Sequence, residues 1–160
     1  MEIKYLIQLS NNPIVTSTLS SRVRKLEPLS TDQVVALEMS YNRGRPFPVV
    51  LRELLYIAGQ NCYVLDYGPT DSQDDLQEWV RESLLADNDR QISGPFFAID
   101  IYGGDKFLFV YLDGGKDDPD VYEATPYDEP EATWINYVNS TLSNLINHRL
   151  VKVLNGYSPF

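Results

Sequence analysis

The chain is poor in the residues that run soft-metal and redox chemistry: its 160 residues include one cysteine, Cys62, and one histidine, His148. A lone cysteine cannot close an internal disulfide, and no pair of cysteines or histidines is present at zinc-ligand spacing. Cys62 lies in the apolar run Cys62-Tyr63-Val64-Leu65, as a buried small hydrophobe in a reducing compartment would. His148 falls near the end of the expected last helix beside Arg149, where an imidazole is more often a partner for the helix dipole than a catalytic base. Neither a Gly-rich phosphate cradle nor a nucleophile elbow occurs. The expectation is a protein with no catalytic residues, no metal and no cofactor. Long uncharged apolar runs are missing too. Met1 to Leu9 carries Glu2, Lys4 and Gln8, which does not read as a signal peptide, and no later run has membrane-spanning length, so a cytoplasmic location is expected.

Basic charge is also scarce. Thirteen Lys and Arg stand against 23 Asp and Glu, a net charge of -10, which disfavours nucleic acid and anionic membranes as partners and favours a basic protein. The length suits one domain, residues 1–160, around a single core.

What the chain does have is a pair of strand-like runs, Phe96 to Ile101 and Phe107 to Leu112, joined by Gly103-Gly104-Asp105. Aromatic and β-branched residues favour strands, and glycines suit a tight hairpin. The second run is apolar at every position, so it must be covered on both faces and helices must pack on the sheet. The helices expected are Asn12/Pro13 to about Leu26; Ser30 or Thr31 to Asn42, with Gln33 in capping-box position to Ser30; and Val49 to Ala58, stopped by Gly59 as a left-handed cap. A fourth is entered through Asp71, Ser72, Asp74 and Asp75, with Leu76, Trp79, Val80, Leu84 and Leu85 on one face. A fifth runs from about Glu131 as far as Leu154, with Trp134, Val138, Leu142, Leu145 and Ile146 on one face. Short strands are expected at Cys62 to Tyr67 and around Val121 and Tyr122.

Acids crowd the segment after the hairpin: Asp113, Asp117, Asp118, Asp120, Glu123, Asp128, Glu129 and Glu131, with Tyr111, Tyr122 and Tyr127 among them. As a calcium loop the spacing fails, because it lacks acids at alternate positions, a central Gly and a distal Glu. As a glycosidase pair, Asp100, Asp105, Asp113 and Glu123 are the available acids; Asp105 reads better as a turn residue, and Asp100, flanked by apolar neighbours, as the partner of a buried backbone or arginine group. As a recognition surface the segment fits well, since tyrosines supply contact area and carboxylates steer and pair a basic partner. The candidate partner-binding residues are Asp113, Asp117, Asp118, Asp120, Tyr122, Glu123, Tyr127, Asp128 and Glu129. Tyr67, Asp71, Asp74 and Asp75 form a second, weaker candidate surface.

Between about residues 28 and 149 several landmarks follow one another in order. They are Leu29-Ser30-Thr31 opening a helix that reaches Glu38, Pro48 to Leu55 with Ala58-Gly59 closing it, Ala98 to Asp100, Gly103-Gly104-Asp105, Asp120-Val121-Tyr122, and a closing helix with Trp134 and Tyr137. Together they resemble the SUKH superfamily, the bacterial immunity proteins that also include fungal cell-wall regulators. The chain departs from that pattern in Phe47-Pro48, where the family typically carries Leu-Pro, and in Asp66 to Gly94, which does not align. The resemblance implies an α+β fold, a mostly antiparallel sheet with helices packed against it. For function it implies an immunity protein that binds and neutralises a cognate secreted toxin, such as a nuclease. The alternatives are an intracellular scaffold or regulatory adaptor, as the fungal members imply, and a carboxylate-dependent hydrolase, which needs two acids converging in a cleft. The oligomeric state is open from the sequence.

Overall fold

A computed structural model describes residues 2–16, 22–87, 89–102, 106–127 and 134–160. The strand-like runs build its centre. β3 (Phe96–Tyr102) pairs antiparallel with β4 (Lys106–Tyr111), β4 with β5 (Asp120–Ala124), and β5 with β6 (Ile135–Thr141), giving a four-stranded sheet in sequential order. A separate two-stranded ribbon joins β1 (Ile14–Thr16) to β2 (Val23–Lys25). Five α-helices are described: α1 (Ile7–Ser10), α2 (Thr31–Asn42), α3 (Val49–Ala58), α4 (Gln73–Glu82) and α5 (Leu142–Leu154). A π-helical turn, Ser83–Asp87, extends α4. The architecture is α+β, with a mainly antiparallel sheet and helices packed on it.

The two-residue period of the strands divides the core. Phe97, Ile99, Leu108, Val110 and Val121 face one way and pack with α1, α2, α3 and α5. Phe96, Ala98, Ile101, Phe107, Phe109 and Ala124 face the other way and pack with α4, Leu84 and Ile92. Phe107 to Val110 are all buried, because each face of β4 has a cover. An irregularity between Ala98 and Asp100 bends β3 and aims Asp100 inward, where its carboxylate is fully buried. Asp100 Oδ2 accepts from Arg149 Nη1 at 2.5 Å and Oδ1 from the Asp66 N–H at 2.7 Å. Arg149 also donates to the Val64 carbonyl at 3.1 Å, so one ion pair ties β3, α5 and the 64–66 turn together. The sequence reading of Asp100 as partner to a buried backbone or arginine group is met on both counts. Glu53, fully buried in α3, accepts the backbone N–H groups of Lys4, Tyr5 and Leu6 and so fixes the chain before α1.

α2 begins at Thr31 with Ser30 as its cap, and the reciprocal Ser30 and Gln33 bonds of the capping box are both present. α3 spans the expected residues. Gly59, however, is right-handed at φ -66° rather than a left-handed cap. It is glycine for space, since a Cβ there would stand 2.7 Å from Leu29 Cγ and 2.6 Å from the Leu55 carbonyl oxygen. A left-handed residue instead closes α2, Arg43 at φ 58°.

Five further expectations are corrected. The segment 13–26 is not helical where described, but holds β1 and β2, whose β-branched residues Ile14, Val15, Thr16 and Val23 fit an extended chain better than a helix. Cys62 to Leu65 are buried, but Cys62 to Tyr67 forms turns rather than a strand, with the Leu65 N–H donating back to the Cys62 carbonyl and only Asn61 bridged, to Glu27. The closing helix begins at Leu142, not near 131. Ile135 to Thr141 is rich in β-branched residues, Asn and Ser, weak helix formers that β5 recruits as its antiparallel partner. His148 sits mid-helix and exposed, not in the last turn, because α5 continues to Leu154. On α4, Leu76, Val80 and Leu84 are buried and Trp79 is half-buried, but Leu85 is 61% exposed. Nine residues beyond Leu76 is two and a half helical turns, the opposite side. The expected Gly103-Gly104-Asp105 turn lies outside the described residues, as do Asp128, Glu129 and Glu131.

Candidate functional site

The register of β4, β5 and β6 brings aromatic residues into a row. Phe109 lies opposite Tyr122, and Tyr122 opposite Tyr137. The rings meet at centroid distances of 5.7 Å for Phe109 and Tyr122, 5.1 Å for Tyr111 and Tyr122, and 5.7 Å for Tyr122 and Tyr137, within the range of favourable aromatic pairs. All are on the α4 side of the sheet. α4 packs over β3, so the row grades from buried Phe109 through half-buried Tyr111 and Tyr122 to Tyr137, 51% exposed. Burial, then the neighbouring Tyr122 and Asp113, raise the pKa of the Tyr111 hydroxyl above its ordinary value.

The loop after β4 returns across one end of this row. A pocket of about 200 Å³ there is lined by Pro48, Tyr111, Asp113, Lys116, Asp120 and Tyr122, with Gly114, Gly115 and Pro119 completing the wall. Lys116 Nζ lies 2.5 Å from Asp120 Oδ2, and that hydrogen bond raises the lysine pKa above its ordinary value. Three of the sequence candidates, Asp113, Asp120 and Tyr122, are therefore brought together, and Tyr111 joins them. In the sequence Tyr137 stands only as a landmark of the expected last helix. Once that segment becomes β6, its place two strands from Tyr111 follows from strand pairing.

The other candidates are dispersed. Asp118 turns to the opposite end of the loop, where Oδ1 accepts the Ser143 N–H at 3.0 Å and Oδ2 the Ser143 hydroxyl at 2.6 Å. Thr141, the N-cap of α5, makes no side-chain cap bond, so Asp118 satisfies the helix start from outside. Glu123 points to the face opposite Tyr122, where it pairs with Lys106 at 3.3 Å and borders a groove beside Leu145 and His148 of α5. Asp117 is exposed, and its carbonyl accepts the Val50 N–H of α3 at 3.0 Å. Tyr127 is 52% exposed, its hydroxyl 3.4 Å from Ser83 Oγ at the π-turn. Asp128 and Glu129 are outside the described residues.

The second candidate surface separates as well. Tyr67 is turned inward and donates its hydroxyl to the Ala58 carbonyl at 3.0 Å, burial holding its pKa well above the ordinary value. Asp71, Asp74 and Asp75 remain exposed around the start of α4, where Ser72 caps the Asp75 N–H at 3.1 Å.

Of the acids available to a hydrolase, Asp100 is locked in its ion pair, Asp113 and Glu123 lie on different faces of the sheet, and Asp105 is outside the described residues. Among the described residues no three His, Cys, Asp or Glu side chains gather as a metal site requires, and no helix is long and apolar enough to cross a membrane. The Cys62 thiol is fully buried, and burial pushes its pKa up to about 12. No protein-family model, no curated protein and no solved structure matches this chain.

Proposed function

We propose that the chain is a SUKH-superfamily immunity protein, a cytoplasmic bacterial protein without enzymatic activity that binds and neutralises a cognate secreted toxin. The observation that carries this reading is the open half of the sheet, where Tyr111, Tyr122 and Tyr137 stand beside Asp113 and Asp120 on a chain of net charge -10. Rigid aromatic contact area set among carboxylates is suited to a basic protein surface, such as the substrate groove of a nuclease. Asp113 and Asp117 supply the steering charge, while Asp120 is partly neutralised by Lys116. Asp118 and Glu123, engaged with Ser143 and Lys106, supply less of it.

Co-expression with the toxin domain encoded immediately upstream is the first test, with rescue of growth and co-purification expected. The double reversal Asp113→Lys with Asp120→Lys then locates the interface. Association should slow by at least about tenfold at low salt and lose its ionic-strength dependence, with the melting temperature nearly unchanged. An unaltered association rate across ionic strengths removes this face from the interface. Failure to rescue against a demonstrably active toxin removes the immunity reading for that pair.

A further inference from the structure

Charge is unevenly distributed along this chain. All 23 acids lie at Glu2 or between Glu27 and Glu131, so Tyr5 to Leu26 and residues 132–160 contain none. The first acid-free segment holds α1 and the β1 and β2 ribbon, and the second holds β6 and α5. The fold brings them together. α1 packs on α5, and Val15 of the ribbon and Val153 of α5 both pack against the same half of the core, the half away from Tyr111 and Tyr122. Between them runs a groove of about 270 Å³, with Val15, Thr16 and Arg24 on one side and Val153, Tyr157 and Ser158 on the other.

The cations of this pole have no counter-charge. Arg52, Lys106, Lys116 and Arg149 each sit beside a carboxylate, whereas the side chains of Arg22, Arg24 and Lys25 make no ion pair and no hydrogen bond among the described residues. Arg24 is half-buried at the groove, and Arg22 and Lys25 are exposed. Three like charges so close in sequence repel one another, and an acid brought among them is attracted by all three. Apolar surface lies with them, since Ile14, Val23 and Tyr157 are each more than half exposed.

β1 also presents open backbone. Ile14 lies opposite Lys25, Val15 opposite Arg24 and Thr16 opposite Val23, and the Leu26 N–H donates to the Pro13 carbonyl at 2.8 Å. Antiparallel pairs alternate between bonded and non-bonded. Val15 and Arg24 therefore bond each other, while the N–H and C=O groups of Ile14, Thr16, Val23 and Lys25 point outward. Asn61 closes the β2 side, its Nδ2 donating to the Lys25 carbonyl at 2.6 Å and its backbone bonding Glu27. On the β1 side the outward groups of Ile14 and Thr16 have no partner among the described residues. All three residues of β1 are β-branched and uncharged, so the strand itself carries no charge that would guard this edge against pairing.

We propose that β1 and the groove beside it bind an extended acidic segment of a partner protein, which adds to the ribbon as a third strand. Its backbone bonds Ile14 and Thr16, its carboxylates are held by Arg22, Arg24 and Lys25, and its apolar side chains lie over Val15, Val153 and Tyr157. The required charge is opposite to that of the basic toxin, so this face and the toxin-binding reading are independent.

The test is titration of ¹⁵N-labelled protein with acetyl-Glu-Val-Glu-Val-Glu-amide and with its lysine counterpart, acetyl-Lys-Val-Lys-Val-Lys-amide, followed by amide shifts. The acidic peptide should move resonances of residues 14–16, 22–25 and 153–158 with a dissociation constant of about 1 mM or below at low salt. The lysine peptide should bind at least about tenfold more weakly. Arg24→Gln with Lys25→Gln should weaken the acidic peptide by about tenfold or more and flatten its salt dependence. Thr16→Pro removes an outward N–H and leaves the bonds between Val15 and Arg24 in place. It should cost about tenfold in affinity or more with the spectrum still folded, which separates strand addition from charge attraction alone. Absence of shifts at several millimolar, equal binding of the two peptides, or full binding to Thr16→Pro overturns the proposal. Two further outcomes also overturn it. Self-association without peptide that Arg24→Gln with Lys25→Gln abolishes gives this face to a second copy of the chain, and co-sedimentation with phosphatidylglycerol vesicles in the absence of peptide shifts gives it to a membrane.

Discussion

Removing Arg149 tests how the buried charges of this fold are balanced. Asp100 has no exposure to water, and its carboxylate rests on two donors, the Arg149 guanidinium and the Asp66 N–H. Arg149→Met keeps the apolar stem but leaves a buried carboxylate with one neutral partner and deprives the Val64 carbonyl of its donor. Breaking a buried pair from one side destabilises by about 3 to 5 kcal/mol. For a domain of this size that is a fall of about 6 to 20 °C in melting temperature, and a protein with about 5 to 15 kcal/mol of stability remains measurable. The double variant Asp100→Asn with Arg149→Met should recover most of the loss, because no charge is then left unpaired.

The pH dependence has a definite sign. Burial raises the Asp100 pKa above its ordinary 3.8, and Arg149 pulls it back. Without Arg149 it rises further. A carboxyl raised in the folded state contributes stability that is full below its unfolded pKa and lost as pH rises through the folded one. The deficit of Arg149→Met relative to the parent should therefore be largest near neutrality and shrink on acidification toward pH 4. Urea denaturation of the parent, both single variants and the double at pH 7 and pH 4.5 measures this. A deficit below about 1 kcal/mol at pH 7, or one identical at both pH values, refutes the reasoning.

Phe109→Ala removes a fully buried ring that meets Phe96, Phe107, Tyr111 and Tyr122 and should destabilise by about 3 to 5 kcal/mol in the same urea assay; a melt that barely moves contradicts the central place of β4. Asp118→Ala should lower stability by about 0.5 to 2 kcal/mol through the start of α5. Its toxin association rate should change far less than that of the Asp113 and Asp120 double reversal, and the opposite ranking returns Asp118 to the interface. Cys62, buried with its thiol pKa pushed up to about 12, should resist alkylation by iodoacetamide at pH 8 and react only with denaturant present; prompt labelling of the native protein contradicts its burial.

Elements governed by signals close in sequence were legible there. Ser30 and Gln33 announce α2 because both halves of a capping box lie within one turn, and the uninterrupted apolar run Phe107 to Leu112 requires a strand covered on both sides. The misread elements had ambiguous local patterns. Trp134, Val138 and Leu142 are spaced as a helix would space them, yet Val138 belongs to β6, because β5 provides a row of backbone partners that outweighs a weak helix preference. Ile14, Val15 and Val23 are likewise spread on a short, largely exposed ribbon, where apolar period carries little information.

The candidate site divides in the same way. Composition and run pattern determined that the chain is acidic, that its sheet is covered by helices, and that tyrosines and carboxylates are concentrated after the hairpin. Only the tertiary structure decided which of those groups share a face. Asp118 and Asp120 are two residues apart, yet one caps α5 and the other joins the tyrosine row, while Tyr137 reaches that row from a different strand. Strand neighbours at i and i+1 point to opposite sides, and a loop carboxylate goes to whichever unsatisfied donor lies within reach. Both outcomes are fixed by partners far along the chain, which residue order alone does not specify.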